Sequence, residues 1–155
     1  MSTTPPSVAS FLAGRRFAVA GVSRSGKEPA NAIFRKLKTS GYEVFPVNPA
    51  ASIVENETCY SSISDVPTEL DGVVVATPPA ASLDVVRQCG QSGVKKVWFH
   101  RSLGDGSVSN EAVEECHRLG IEAIVGGCPL MFCEPVDIGH RCMRWWFQRK
   151  GKVPV

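Results

Sequence analysis

The residues with chemistry to offer gather first at Gly21-Val22-Ser23-Arg24-Ser25-Gly26-Lys27, directly after the apolar run Phe17-Ala18-Val19-Ala20. Two glycines allow backbone conformations and close approaches that a Cβ blocks. The pattern reads as a buried strand that hands over to a helix across a phosphate-binding turn. Open N–H groups at the start of that helix, with the positive end of its dipole, favour an anion. Ser23 and Ser25 add hydroxyl donors, and Arg24 and Lys27 add full positive charge. The segment has the G-x4-G-K spacing of a P-loop, but Glu28 stands where that pattern requires serine or threonine, so it is not read as one. A plain strand-to-helix turn uses the same glycines, so the choice between turn and site rests on two later strand ends.

The elements that must position this loop follow from hydrophobic patterning and from glycine and proline punctuation. Strands are expected over 16–20, 42–47, 71–76, 96–99 and 121–125, with a brief one at Cys59-Tyr60. Helices are expected over 29–39, 81–92 and 110–119, each ended by a glycine (Gly41, Gly93, Gly120), and a short leading helix over 7–13. Val73-Val74-Val75 suits a strand covered on both faces. Strands thus alternate with helices long enough for right-handed crossovers. The expectation is an α/β, Rossmann-like doubly wound, mainly parallel sheet with helices on both faces and ligands at the strands' C-terminal ends.

Such a sheet suggests NAD first, and the residues argue against it. The dinucleotide fingerprint wants G-x-G-x-x-G, whereas 21–26 read G-V-S-R-S-G. It also wants an acid after the second strand to hold the ribose, and that place holds Asn48-Pro49. NADP fits slightly better, because basic residues can hold its extra phosphate.

Three strand ends line up: Gly21-Val22-Ser23, Val47-Asn48-Pro49 and Ala76-Thr77-Pro78-Pro79. With the segments G-V-S-R-S-G-K, G-Y-E-V-F-P-V-N-P, D-G-V-V-V-A-T-P-P and G-C-P-L-M, the chain resembles the small stand-alone coenzyme A-binding proteins of Rossmann-like fold. These are similar in turn to the CoA-binding domain of the succinyl-CoA synthetase α subunit. The resemblance runs from about 15 to 152. It implies that coenzyme A or an acyl-CoA is the ligand, with its diphosphate on Gly21, Val22, Ser23, Arg24, Ser25, Gly26 and Lys27. It implies that Asn48 and Pro49 border the nucleotide, and that Thr77, Pro78 and Pro79 wall the adenine or pantetheine. Prolines supply rigid apolar walls without an N–H that needs a partner. The chain departs from many relatives after Phe99, where His100-Arg101-Ser102-Leu103-Gly104-Asp105-Gly106 replaces a glutamine closely followed by glycine. His100 is read as a loop histidine in preference to a catalytic acid.

The 155 residues are expected to form one domain, with 1–14 a leading arm and 126–155 a closing segment. Apolar residues make up 43% and charged ones 21%, ordinary for a globular chain. Net charge is +2, unevenly spread: from Pro135 onward five basic residues face only Asp137, which leaves the remainder at −2. No stretch suits a membrane span or a secretory signal, and the six cysteines read as reduced thiols, so a cytoplasmic protein is expected. Cys128, Cys133, His140 and Cys142 have spacings unlike zinc pairs, and no metal is expected. Cys128 is read as a packing thiol, the sharper alternative being a mixed disulfide with the CoA thiol. Arg141, Arg144, Trp145, Trp146, Arg149 and Lys150 resemble a single-strand nucleic-acid surface. A terminal helix that packs its tryptophans on the sheet or on a second copy, as in a homodimer, is the preferred reading. No catalytic constellation is visible. The alternatives left open are an NAD(P)-dependent oxidoreductase and an interaction protein with a vestigial pocket.

Overall fold

The computed structural model of the chain describes residues 4–101 and 106–154. The expected glycine-rich turn over 103–106 therefore lies, apart from Gly106, outside the described residues. Five parallel strands form the main sheet: β1 (Arg16–Ala20), β2 (Glu43–Val47), β5 (Gly72–Val75), β6 (Lys96–Phe99) and β7 (Glu122–Val125), in the order β2-β1-β5-β6-β7. The helices are α1 (Pro6–Leu12), α2 (Pro29–Thr39), α3 (Pro79–Gln91), α4 (Asn110–Arg118) and α5 (Ile138–Arg149). The expected α/β doubly wound architecture is present.

Alternation along the strands divides the core. In β1, Phe17 and Val19 face the apolar layer shared with α1, α2 and α5, while Ala18 and Ala20 face the layer shared with α3 and α4. Both faces are covered, which is why these strands read as continuous apolar runs. On the first face Phe11 stacks on Phe17 at 4.8 Å between centroids and meets Trp98 edge-on at 5.5 Å. Helix α1 is thus built into the core through Val8 and Phe11. Asp71 joins the beginnings of β1 and β5, accepting from the backbone N–H of Arg15 at 2.8 Å and of Arg16 at 2.9 Å.

Three elements differ from expectation. Helix α3 starts at Pro79, two residues early, because the first turn of a helix has no intrahelical use for the N–H that proline lacks. The irregular stretch after β2 forms a hairpin of β3 (Ile53–Val54) and β4 (Glu57–Thr58), turned by Glu55 and Asn56 at φ 51° and 60°. Of the expected Cys59-Tyr60 strand, only a bridge from Tyr60 to Val47 exists. In α5 the helix forms but its tryptophans turn outward: Trp145 is 54% and Trp146 46% exposed, each beneath a cation (Arg149, Lys150), while Arg144 and Phe147 face in. Phe147 suits that inner position because it leaves no ring N–H to satisfy. Among the described residues no helix is long and apolar enough to cross a membrane.

Candidate functional site

In a parallel sheet the strands' carboxyl ends share one edge. A crevice opens where chain order reverses, here between β1, which leads outward to β2, and β5 on its other side. All three predicted strand ends meet at this point. Ala20 pairs with Val47 on one side and Val75 on the other. Beyond the strands, Gly21 N–H donates to the Val47 carbonyl at 2.9 Å and Ala76 N–H to the Ala20 carbonyl at 3.0 Å.

Gly21 has φ 105°, and a Cβ there would lie 2.5 Å from the Ala76 carbonyl oxygen and 3.2 Å from the Thr77 nitrogen. Its missing side chain therefore clears the neighbouring strand end, not the anion's space as the sequence pattern suggests. Gly26, at φ 72°, points an absent Cβ into open space, with only Glu55 Oε1 at 4.0 Å. One glycine serves close approach, the other backbone sign.

Between them the loop is held from three sides. Asn48 Nδ2 donates to the Val22 carbonyl at 2.9 Å while its Oδ1 accepts from Ala50 N–H at 2.8 Å, which ties the β2 end to the loop. Val22 itself is fully buried, so its side chain belongs to the core and only its backbone faces the site. The buried Asn31, on α2, grips Ser23: Oδ1 accepts from Ser23 N–H at 2.9 Å, and Nδ2 donates to the Ser23 carbonyl at 2.8 Å. Ser23 Oγ and Ser25 Oγ lie 2.8 Å apart, and Lys27 N–H donates to Ser25 Oγ at 3.3 Å. The backbone N–H groups of Arg24 and Ser25 have no acceptor among the described residues. They sit at the tip, flanked by the exposed side chains of Arg24 and Lys27, one turn before α2. With the N–H groups of Val22 and Gly26, which also lack an acceptor among the described residues, these amides and the two cations around a helix start make an anion-binding surface.

The third strand end supplies the other wall. Pro78 caps α3 and Pro79 opens its first turn, while Thr77 Oγ1 lies 3.3 Å from Ser82 Oγ. Ser82 Oγ in turn donates to the Ser107 carbonyl at 2.7 Å, which ties this end to the chain after β6. His100 stands beside it: its backbone N–H donates to the Val75 carbonyl at 2.9 Å, and the residue is 6% exposed. Burial disfavours the imidazolium and lowers the His100 pKa.

Three residues here escape sequence reasoning: Asn31, Arg35 and Glu55. Arg35, which helical periodicity turns to water, folds back so that NH1 reaches the Gly26 carbonyl at 3.2 Å and Glu55 Oε1 at 2.6 Å. Asn31 was detectable as a lone polar residue in the buried stripe of Ala30, Ile33, Phe34 and Leu37. Glu55 gave no signal, because its place depends on the hairpin.

The closing segment lies elsewhere. Cys128 and Cys133 are buried, His140 pairs with Asp137 at 2.6 Å, and Cys142 is exposed on α5. Burial pushes the Cys128 thiol up to about 12, which leaves no thiolate for disulfide exchange at neutral pH. A cavity of ≈ 750 Å³ opens beside α5, among Val136, Ile138, Arg141, Cys142 and Trp145. The amides, cations and switch-point geometry suited to a nucleotide converge instead at the loop. We place the candidate site there.

The model of a family described as "CoA binding domain" matches residues 15–134. An ADP-forming acetate–CoA ligase II subunit alpha from Pyrococcus furiosus is 30% identical over 125 residues, 76% of this chain and 27% of that one. An ADP-forming acetate–CoA ligase II from Archaeoglobus fulgidus is 34% identical over 94 residues, 59% of this chain and 14% of its own length. The chain therefore spans only a minor part of these curated relatives. Among solved structures, a conserved hypothetical protein from Pyrococcus furiosus superposes with TM-score 0.66 and 32% identity, over 74% of this chain and 96% of that one.

Proposed function

The chain belongs to the CoA-binding domain family and is related to the ADP-forming acetate–CoA ligases, and from that premise we propose that it binds coenzyme A or an acyl-CoA at the β1/β5 switch point. The diphosphate lies on 21–27, where the Arg24 and Ser25 amides and the Arg24 and Lys27 side chains receive it. Asn48 and Pro49 border the nucleotide, and Thr77, Pro78 and Pro79 wall the adenine or pantetheine. The observation that carries this reading is the set of backbone N–H groups at Val22, Arg24, Ser25 and Gly26 without an acceptor among the described residues, in a loop anchored through Gly21, Ser23 and the Val22 carbonyl.

Such a loop needs no reorganisation when the anion arrives, so little binding energy is lost to ordering it. Charge-assisted hydrogen bonds to phosphate oxygens are roughly twice as strong as neutral ones. The role assigned is recognition. Ligation, the activity in the relatives' names, is not carried over to a chain that spans 14% to 27% of their length.

Amide chemical shifts recorded during titration with CoA test the placement. The reading expects the largest changes at Arg24, Ser25 and Gly26, with smaller ones at Asn48 and Thr77. Changes confined to α5 and the cavity beside it would move the site to the closing segment.

A further inference from the structure

We infer that Glu55 is a positioning residue for the anion loop, an inference that rests on the reading of 21–27 as the diphosphate site. Glu55 stands at the tip of the β3–β4 hairpin with φ 51°. A left-handed backbone costs a side-chain-bearing residue about 1 kcal/mol or more. Hairpin turns of this kind favour asparagine, aspartate or glycine at both central places. Asn56 follows that preference and Glu55 does not.

The carboxylate has a specific use. Its side chain is only 17% exposed, and Oε1 accepts from Asn31 Nδ2 at 2.8 Å and from Arg35 NH1 at 2.6 Å. An amide side chain can be turned either way, and its neighbours decide which. Reversing Asn31 would set its oxygen against two acceptors, Glu55 Oε1 and the Ser23 carbonyl. Glu55 thereby keeps Asn31 Oδ1 aimed at Ser23 N–H, the residue from which the open amides of Arg24 and Ser25 follow. The same oxygen holds the Arg35 guanidinium against the Gly26 carbonyl at the far side of the turn. The hairpin tip grips both ends of the anion loop without touching the anion.

A carboxylate near a phosphate also repels it, so charge and position act in opposite directions and must be separated. Glu55→Gln and Glu55→Gly carry the same charge. The glutamine retains an acceptor oxygen of the same reach, whereas the glycine removes it and relieves the left-handed backbone. We expect the glycine variant to melt no lower than the glutamine variant yet to bind CoA about tenfold more weakly, the effect of removing groups that only orient a binding residue. Glu55→Asn, whose backbone favours the same conformation but whose side chain is too short, should bind like the glycine variant. A merely structural role would move melting temperature and leave affinity alone. Equal CoA affinity in the glutamine and glycine variants overturns the inference while wild-type binding stands. Absence of CoA binding in the wild type overturns the site reading and this inference with it.

Discussion

The Cβ that Gly21 lacks would lie 2.5 Å from the carbonyl oxygen of Ala76. Two adjacent strand ends of the sheet are therefore within reach of each other only because this residue has no side chain. Gly21→Ala combines left-handed strain with a backbone clash and should destabilise the fold by about 3 kcal/mol. Gly26→Ala meets no clash and should cost ~1 kcal/mol. Urea unfolding of the two variants checks the order; equal losses would mean that Ala76 moves aside freely.

Asn31 is buried and makes hydrogen bonds to both backbone groups of Ser23. Asn31→Ala should cost about 2 kcal/mol in stability, since buried partners lose their bonds and gain none. It should also raise hydrogen exchange at Ser23 and Arg24 ahead of the rest of the chain. Uniform exchange along 21–27 and the core strands would show that the loop has no separate anchor.

His100 gives the protein a slope in mildly acid solution. Unfolded, its imidazole titrates near 6.5; folded, burial lowers that value. Between the two, the unfolded chain binds the extra proton, so stability is present above about 6.5 and declines as the pH falls below it. The carboxylates of Asp71 and Asp137, lowered mainly by backbone hydrogen bonds, lose their contribution only below about 4. The urea midpoint should therefore drop between about pH 7 and 5.5 in the wild type and stay flatter in His100→Gln. Parallel curves would place the imidazole in contact with water.

Five of the six cysteines are buried and Cys142 alone is exposed. Burial raises Cys128 and Cys116 to about 12. Native protein at neutral pH should take up a single iodoacetamide adduct, at Cys142, and six after denaturation. Rapid alkylation of Cys128 would show that the closing segment opens.

The sheet, its order of strands and helices, and the meeting of three strand ends were legible because apolar runs between glycines and prolines admit few alternatives. The loop was legible as a place but not as a mechanism. Gly21 serves the neighbouring strand, a contact between residues 55 positions apart that no local pattern encodes. Arg35 stays half exposed on α2, as periodicity expects, but its guanidinium reaches a long-range partner, Glu55, that periodicity does not reveal. That partner was hidden because its hairpin turns on glutamate at a backbone angle that sequence rules reserve for others. The tail misled for a different reason. Both tryptophans carry polar ring nitrogens, and α5 buries Phe147 and Arg144 instead, with the guanidinium over Phe132 at 4.6 Å.

Calorimetric titration of ligand-free protein with CoA, dephospho-CoA, NAD and NADP tests the central claim most directly. One CoA should bind per chain, with NAD and NADP about a hundredfold weaker, a difference of ~2.7 kcal/mol. Dephospho-CoA measures what the extra phosphate contributes. Tighter binding of NADP than of CoA, or no heat with any of the four, would contradict it.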